Sequence, residues 1–207
     1  MPQDTYKSRL RLSESVRELI EKLILADDEA NFAQASELVL QATQLLDKNV
    51  SQWQPKIVEP DTSNRDPRNY FPYSPIVGPL NPQSALVSFK LDQGVISGTV
   101  KFSVAHQGPP GCVHGGVLAE FFDDLLGASN IATGIGGLTG KLTVKFRATT
   151  PIYKELRFQA MSSPPVGRKI VATGSIWNGE VLCCEAEGVF ITVDAEKFRQ
   201  ITVGVHD

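Results

Sequence analysis

From residue 84 onward the chain carries one helix-length apolar pattern set among several strand-length ones. Residues 85–91 and 95–104 read as strands joined by a turn at Asp92-Gln93-Gly94. A helical period then runs from Val117 to about Asn130 and is stopped by Thr133-Gly134-Ile135-Gly136-Gly137. Further strands are expected at 138–147, 154–162, 167–177 and 181–193, with Asn178-Gly179 predicting a type I′ hairpin between the last two. A lone apolar helix must bury its face, and in this stretch only sheet is available to cover it. The order of elements therefore predicts an α+β layer fold, an antiparallel sheet around one central helix.

The rest of the chain is organised differently. Residues 1–50 read as a helical hairpin: Val16, Leu19, Ile20, Leu23 and Ile24 mark one helix face, with Ser13 as its expected cap. Asp27-Asp28 interrupts the pattern before Phe32, Ala35, Leu38, Val39, Ala42, Leu45 and Leu46 mark a second helix. Residues 51–83 carry Pro55, Pro60, Pro67, Pro72, Pro75, Pro79 and Pro82, so regular structure is not expected there. The aromatics Trp53, Tyr70, Phe71 and Tyr73 suggest that this linker docks on the domain at 84–207. A net charge of −3 gives no support for nucleic-acid binding, and no apolar run has the ~20 residues needed to span a bilayer. The start lacks the apolar core of a secretory signal. Cys112, Cys183 and Cys184 form no disulfide framework, and the three histidines show no metal-ligand spacing. A cytoplasmic, reduced, metal-free protein is expected.

The chemistry concentrates at Gly111-Cys112-Val113-His114-Gly115-Gly116, which runs directly into the central helix. A helix start presents unpaired N–H groups and the positive end of the dipole. With ~100° per residue and Gly116 at zero, Val117, Leu118, Phe121, Phe122, Leu125, Ala128 and Ala132 fall between roughly 100° and 240°. Asp123 lies ~20° from Gly116, Glu120 ~40° and Asp124 ~80°, so Asp123 is the acid best aligned with the helix start. Seven residues at ~1.5 Å place Gly116 and Asp123 ~10 Å apart along the axis. One helix can hardly bring both to a single reacting centre. Two antiparallel copies can, each offering its N–H end to the other's acid.

These residues resemble the PaaI-type hotdog acyl-CoA thioesterases, including the phenylacetyl-CoA and 4-hydroxybenzoyl-CoA branches. The resemblance covers about residues 85–193 and rests on His114-Gly115-Gly116 and on an acid nine positions after the histidine. Thr139-Gly140-Lys141-Leu142 and Val166-Gly167-Arg168-Lys169 also look like family positions. It implies a hotdog fold, hydrolysis of an acyl-CoA thioester, and a homodimer or dimer of dimers. It implies no cofactor, coenzyme A being part of the substrate. By position, Asp123 matches the catalytic nucleophile or general base, and Gly116 the residue whose N–H polarises the carbonyl. His114 matches the histidine that begins the turn, and Thr139 a polar site residue on the following strand. Gly115 and Glu120 are candidates for substrate contact, and Arg168 and Lys169 for the coenzyme A phosphates.

Plainer roles stand beside these. Asp123 also suits a solvated helix face, and Glu120 and Asp124 suit structural or solvent-facing positions. Lys141, Lys145 and Arg147 alternate along one strand, as a solvated face would. Cys112, Cys183 and Cys184 read as packing residues. Two alternatives of other classes remain open: a non-catalytic acyl-CoA or lipid-binding hotdog protein, and an assembly module recruiting a partner through the N-terminal helices.

Overall fold

A computed structural model describes residues 3–50, 71–134 and 136–192. Trp53, Tyr70, Ile135 and the prolines at 55, 60 and 67 lie outside the described residues. The elements follow the order α1 Gln3–Leu25, α2 Phe32–Asp47, β1 Leu86–Asp92, β2 Val95–Lys101, α3 Gly115–Ala132, β3 Gly137–Phe146, β4 Leu156–Ser162, β5 Lys169–Asn178 and β6 Val181–Thr192. The strands form a six-stranded sheet in the order β1-β2-β4-β5-β6-β3. Every neighbouring pair is antiparallel.

Helix α3 packs against five of the six strands, because the sheet curls around it. Phe121, Phe122, Leu125 and Leu126 are completely buried, together with Phe102 and Phe158. The Phe121 ring meets Phe102, Phe122 and Phe158 edge-on at centroid distances of 5.8, 6.0 and 5.3 Å. Edge-to-face contact suits the ring quadrupoles. Leu126 lies outside the expected apolar arc and is nonetheless buried, since a curled sheet covers more of a helix than a flat one. Cys183 and Cys184 pack in the same core, and burial pushes the Cys184 thiol up to about 12.

Three local features differ from expectation. Ser13 does not cap α1; it sits buried in the middle of a helix that begins ten residues earlier, at Gln3. Strand β2 ends at Lys101, and Val104–His106 form one 3₁₀ turn closed by a capping box between Ser103 and His106. In the β5–β6 hairpin Asn178 pairs with Val181, so the two loop residues are Gly179 and Glu180. Only Gly179 has positive φ, +58°, which is the type II′ pattern. The type I′ pattern appears instead between β1 and β2, where Gln93 and Gly94 have φ of +46° and +81°.

The second half of the proline-rich segment docks. Ile76 and Val77 join the core, and Phe71 packs half-buried against it. Helix α1 reaches this segment through Arg17, whereas no residue of α2 is buried. Among the described residues, no helix is long and apolar enough to cross a membrane.

Candidate active site

The loop before α3 is closed by its own backbone. Gly108 N–H donates to Cys112 O at 2.9 Å, and Gln107 pairs with Val113. Gly111 takes a φ of +75°, a conformation L side chains rarely adopt. His114 then acts as the N-cap of α3, with its own N–H bound to His106 O at 2.9 Å. Its ring turns back over the helix end, so that Nδ1 accepts the N–H of Gly116 at 2.9 Å.

That hydrogen bond corrects one expectation. The Gly116 N–H is taken by the imidazole and does not point free at a ligand. The Gly115 N–H, one residue earlier, has no partner among the described residues. A side chain at Gly115 would meet the Phe146 ring at 3.3 Å, so the end of β3 lies directly against this terminus.

Two turns along the helix, Asp123 is half-buried and accepts a hydrogen bond from Thr139 Oγ1 at 2.7 Å. Thr139 reaches it from β3 just before an irregularity in register between Thr139 and Lys141. Bulges of this kind re-aim side chains beside functional sites. The structure thus brings together two residues singled out from distant positions in the sequence. Strand β3 is also an edge strand, and it borders both ends of the site: Phe146 at Gly115, Thr139 at Asp123.

Asp124 faces elsewhere. Its carboxylate takes the hydroxyl of Ser74, and that Oγ accepts the N–H groups of Ile76 and Val77 at 3.0 Å each. Burial pushes the Asp124 carboxyl up to about 6, opposed by the Ser74 hydrogen bond and reinforced by the charges of Asp123 and Glu120. Asp124 is thus an anchored acid, not a solvent-facing one. Ser74 was not foreseen; its only sequence signal is a serine two and three residues before the apolar pair Ile76-Val77 in a proline-rich segment.

The remaining candidates stand further out. Glu120 is exposed, and its side chain makes no hydrogen bond or ion pair among the described residues. Arg168 is exposed, its Nη2 at 3.4 Å from Thr192 O. Lys169 pairs with Ile191, which pairs with Leu138 next to Thr139. These cations therefore sit two strand spacings, roughly 10 Å, from the Thr139 row. Arg147 Nη2 lies 2.6 Å and Lys145 Nζ 4.0 Å from the Glu185 carboxylate, as a solvated strand face permits.

A single helix held in a curled antiparallel sheet, with a free N–H at its start and a hydrogen-bonded acid on its polar stripe, is a hotdog domain. No family model matches the chain. A stretch of 93 residues is 31% identical to the acyl-coenzyme A thioesterase THEM4 of Bos taurus, covering 44% of this chain and 38% of that protein. The Mus musculus protein of the same name is 30% identical over 93 residues, covering 44% of this chain and 40% of its own length. The match thus spans about two fifths of the length of these curated relatives. A thioesterase superfamily protein of known crystal structure is 27% identical with a TM-score of 0.78, over 88% of this chain and 90% of that one. The chain thus has the hotdog fold and is similar in sequence and structure to members of the thioesterase superfamily.

Proposed function

We propose that this protein hydrolyses an acyl-CoA thioester to the free acid and coenzyme A. The observation that carries the reading is the Asp123 carboxylate, held by Thr139 two turns along the helix from an open N–H terminus. Asp123 takes a proton from water as the water oxygen attacks the thioester carbonyl carbon, or attacks that carbon itself to give an anhydride that water then opens. The carbonyl oxygen gains negative charge. The free Gly115 N–H and the helix dipole stabilise it, with Gly116 serving by holding the His114 ring. The C–S bond then breaks, and the thiolate leaves with a proton. Coenzyme A enters as part of the substrate, with Arg168 and Lys169 offered to its phosphates. The three free thiols suit a reduced, cytoplasmic setting.

The reading requires two copies. Gly115 and Asp123 are eight residues apart, ~12 Å along the helix, too far for one carbonyl to meet both. Strand β3 is an open edge. Pairing it antiparallel with its own copy across a two-fold axis would lay the Phe146 end of one chain over the Thr139 end of the other. The helix start of each protomer then faces the acid of its partner, and a homodimer or dimer of dimers follows.

The test is release of free thiol from a panel of aliphatic and aromatic acyl-CoAs, by the wild type and by Asp123→Asn. Hydrolysis of at least one substrate, reduced at least 100-fold in the variant with the fold intact, is expected. Full activity in Asp123→Asn would remove the assignment. Tight binding without thiol release would favour a non-catalytic acyl-CoA-binding protein.

A further inference from the structure

Residues 71–85 contain no helix and no strand, yet their polar atoms bond to three other parts of the chain: α3, α1 and the 3₁₀ turn at Val104–His106. At one end Ser74 Oγ donates to Asp124 on α3 and accepts the N–H groups of Ile76 and Val77, whose side chains are buried. The turn around it is tight: a Cβ at Gly78 would lie 2.4 Å from the Ser74 nitrogen. At the other end Gln83 O is 3.0 Å from His106 Nε2. His106 Nδ1 accepts the Ser103 N–H at 3.1 Å, so the hydrogen is on Nε2 and donates to Gln83. Between the two, Arg17 of α1 donates to Asn81 O, Ser84 O and Ser84 Oγ at 3.1, 2.9 and 2.9 Å.

Both outer contacts land one step from a residue of the candidate site. Asp124 adjoins Asp123 in the chain, and the His106 carbonyl holds the His114 N–H. We infer that residues 71–85 form a brace that sets the roll of α3, with Ser74 a positioning residue that acts through Asp124. The physical reason is leverage. Side-chain ends on a helix lie ~6 Å from its axis, so a roll of ~10° carries a carboxylate ~1 Å. A 1 Å misplacement of a reacting group can cost on the order of 100-fold in rate. Apolar packing is non-directional, and a hydrogen bond adds a directional restraint on the roll. Two directional hydrogen bonds ~100° apart around the helix oppose it: Thr139 to Asp123 and Ser74 to Asp124.

The catalytic readout of this inference rests on the thioesterase reading; its structural readout does not. Ser74→Ala removes the clasp hydroxyl and leaves Asp124 in place. We expect kcat for acyl-CoA hydrolysis to fall about tenfold with KM changed less than threefold, and Ser74→Thr to restore most of it. Asp124→Ala is expected to match Ser74→Ala, and the double variant to be no worse than either. Deuterium uptake over residues 115–124 is expected to rise in Ser74→Ala, with the strands unaffected, and to return in Ser74→Thr. Unchanged kcat in Ser74→Ala overturns the positioning role, and effects that multiply in the double variant overturn action through Asp124. If the wild type releases thiol from no acyl-CoA, the hydrolysis reading fails. The exchange measurement then decides the brace alone, and unchanged uptake over 115–124 overturns it.

Discussion

Asp124→Asn should stabilise the protein at alkaline pH and do little in acid. The carboxyl is raised from 3.8 to about 6, with burial the largest cause. The folded state therefore holds its proton more tightly than the unfolded chain does. Between those two values the folded state binds the extra proton, so stability falls as pH rises through the window. Above pH 7 the whole difference of 2.2 (6 − 3.8) applies, about 3 kcal/mol against folding. At pH 4 only a small part of that difference is felt. Asparagine keeps an oxygen to accept the Ser74 hydroxyl and never ionises, so it should recover much of the difference. The expected gain is about 2 kcal/mol at pH 8 and a small fraction of that at pH 4, or roughly 4–8 °C in Tm at the higher pH. Thermal melts of wild type and variant across pH 4–8 measure it. A gain independent of pH, or a loss at pH 8, would refute the claim that the folded state carries a buried, unwelcome charge here.

Two further outcomes follow from the same contacts. Thr139→Val removes the donor to Asp123 and should lower kcat/KM about tenfold with an unchanged Tm, while Thr139→Ser keeps the hydroxyl and most of the rate. His106 is held neutral, its value lowered chiefly by burial, so the unfolded chain binds protons at higher pH than the folded one. Its contribution is therefore complete above about pH 6.5 and declines as pH falls below that value. Measured in the Asp124→Asn background, which removes the opposing trend, His106→Gln should flatten the acid side of the stability profile.

What was legible follows from period and length. Strands alternate, the central helix repeats at 3.6, and the turns carry glycine, so the α+β order could be read directly. Asp123 was readable because an angle on a helix needs only counting. The Gly115–Gly116 distinction was not, because it depends on a histidine ring folding back onto its own helix end, a choice of rotamer that spacing does not encode. The residues 71–85 were the least legible. Their prolines erase any period, and the partner that defines Ser74 lies 50 positions away. Likewise the hairpin at Gly179 shifted by one residue, since Asn-Gly and Gly-Glu are both acceptable loops and the register of β5 on β6 decides between them.

The brace also bears on the two-copy arrangement proposed above. In a site shared across β3, each reacting centre draws its acid from one protomer and its N–H from the other. A roll of α3 then displaces both groups at once, each in its own frame, and the errors at the carbonyl add. Such a site gains from directional restraints on its helices beyond apolar packing. Hydrogen bonds from outside the sheet meet that need, and here they come from Ser74 and, through His106, from Gln83. Arg17 ties α1 to the same segment, so the N-terminal helix is mechanically continuous with the helix that carries Asp123.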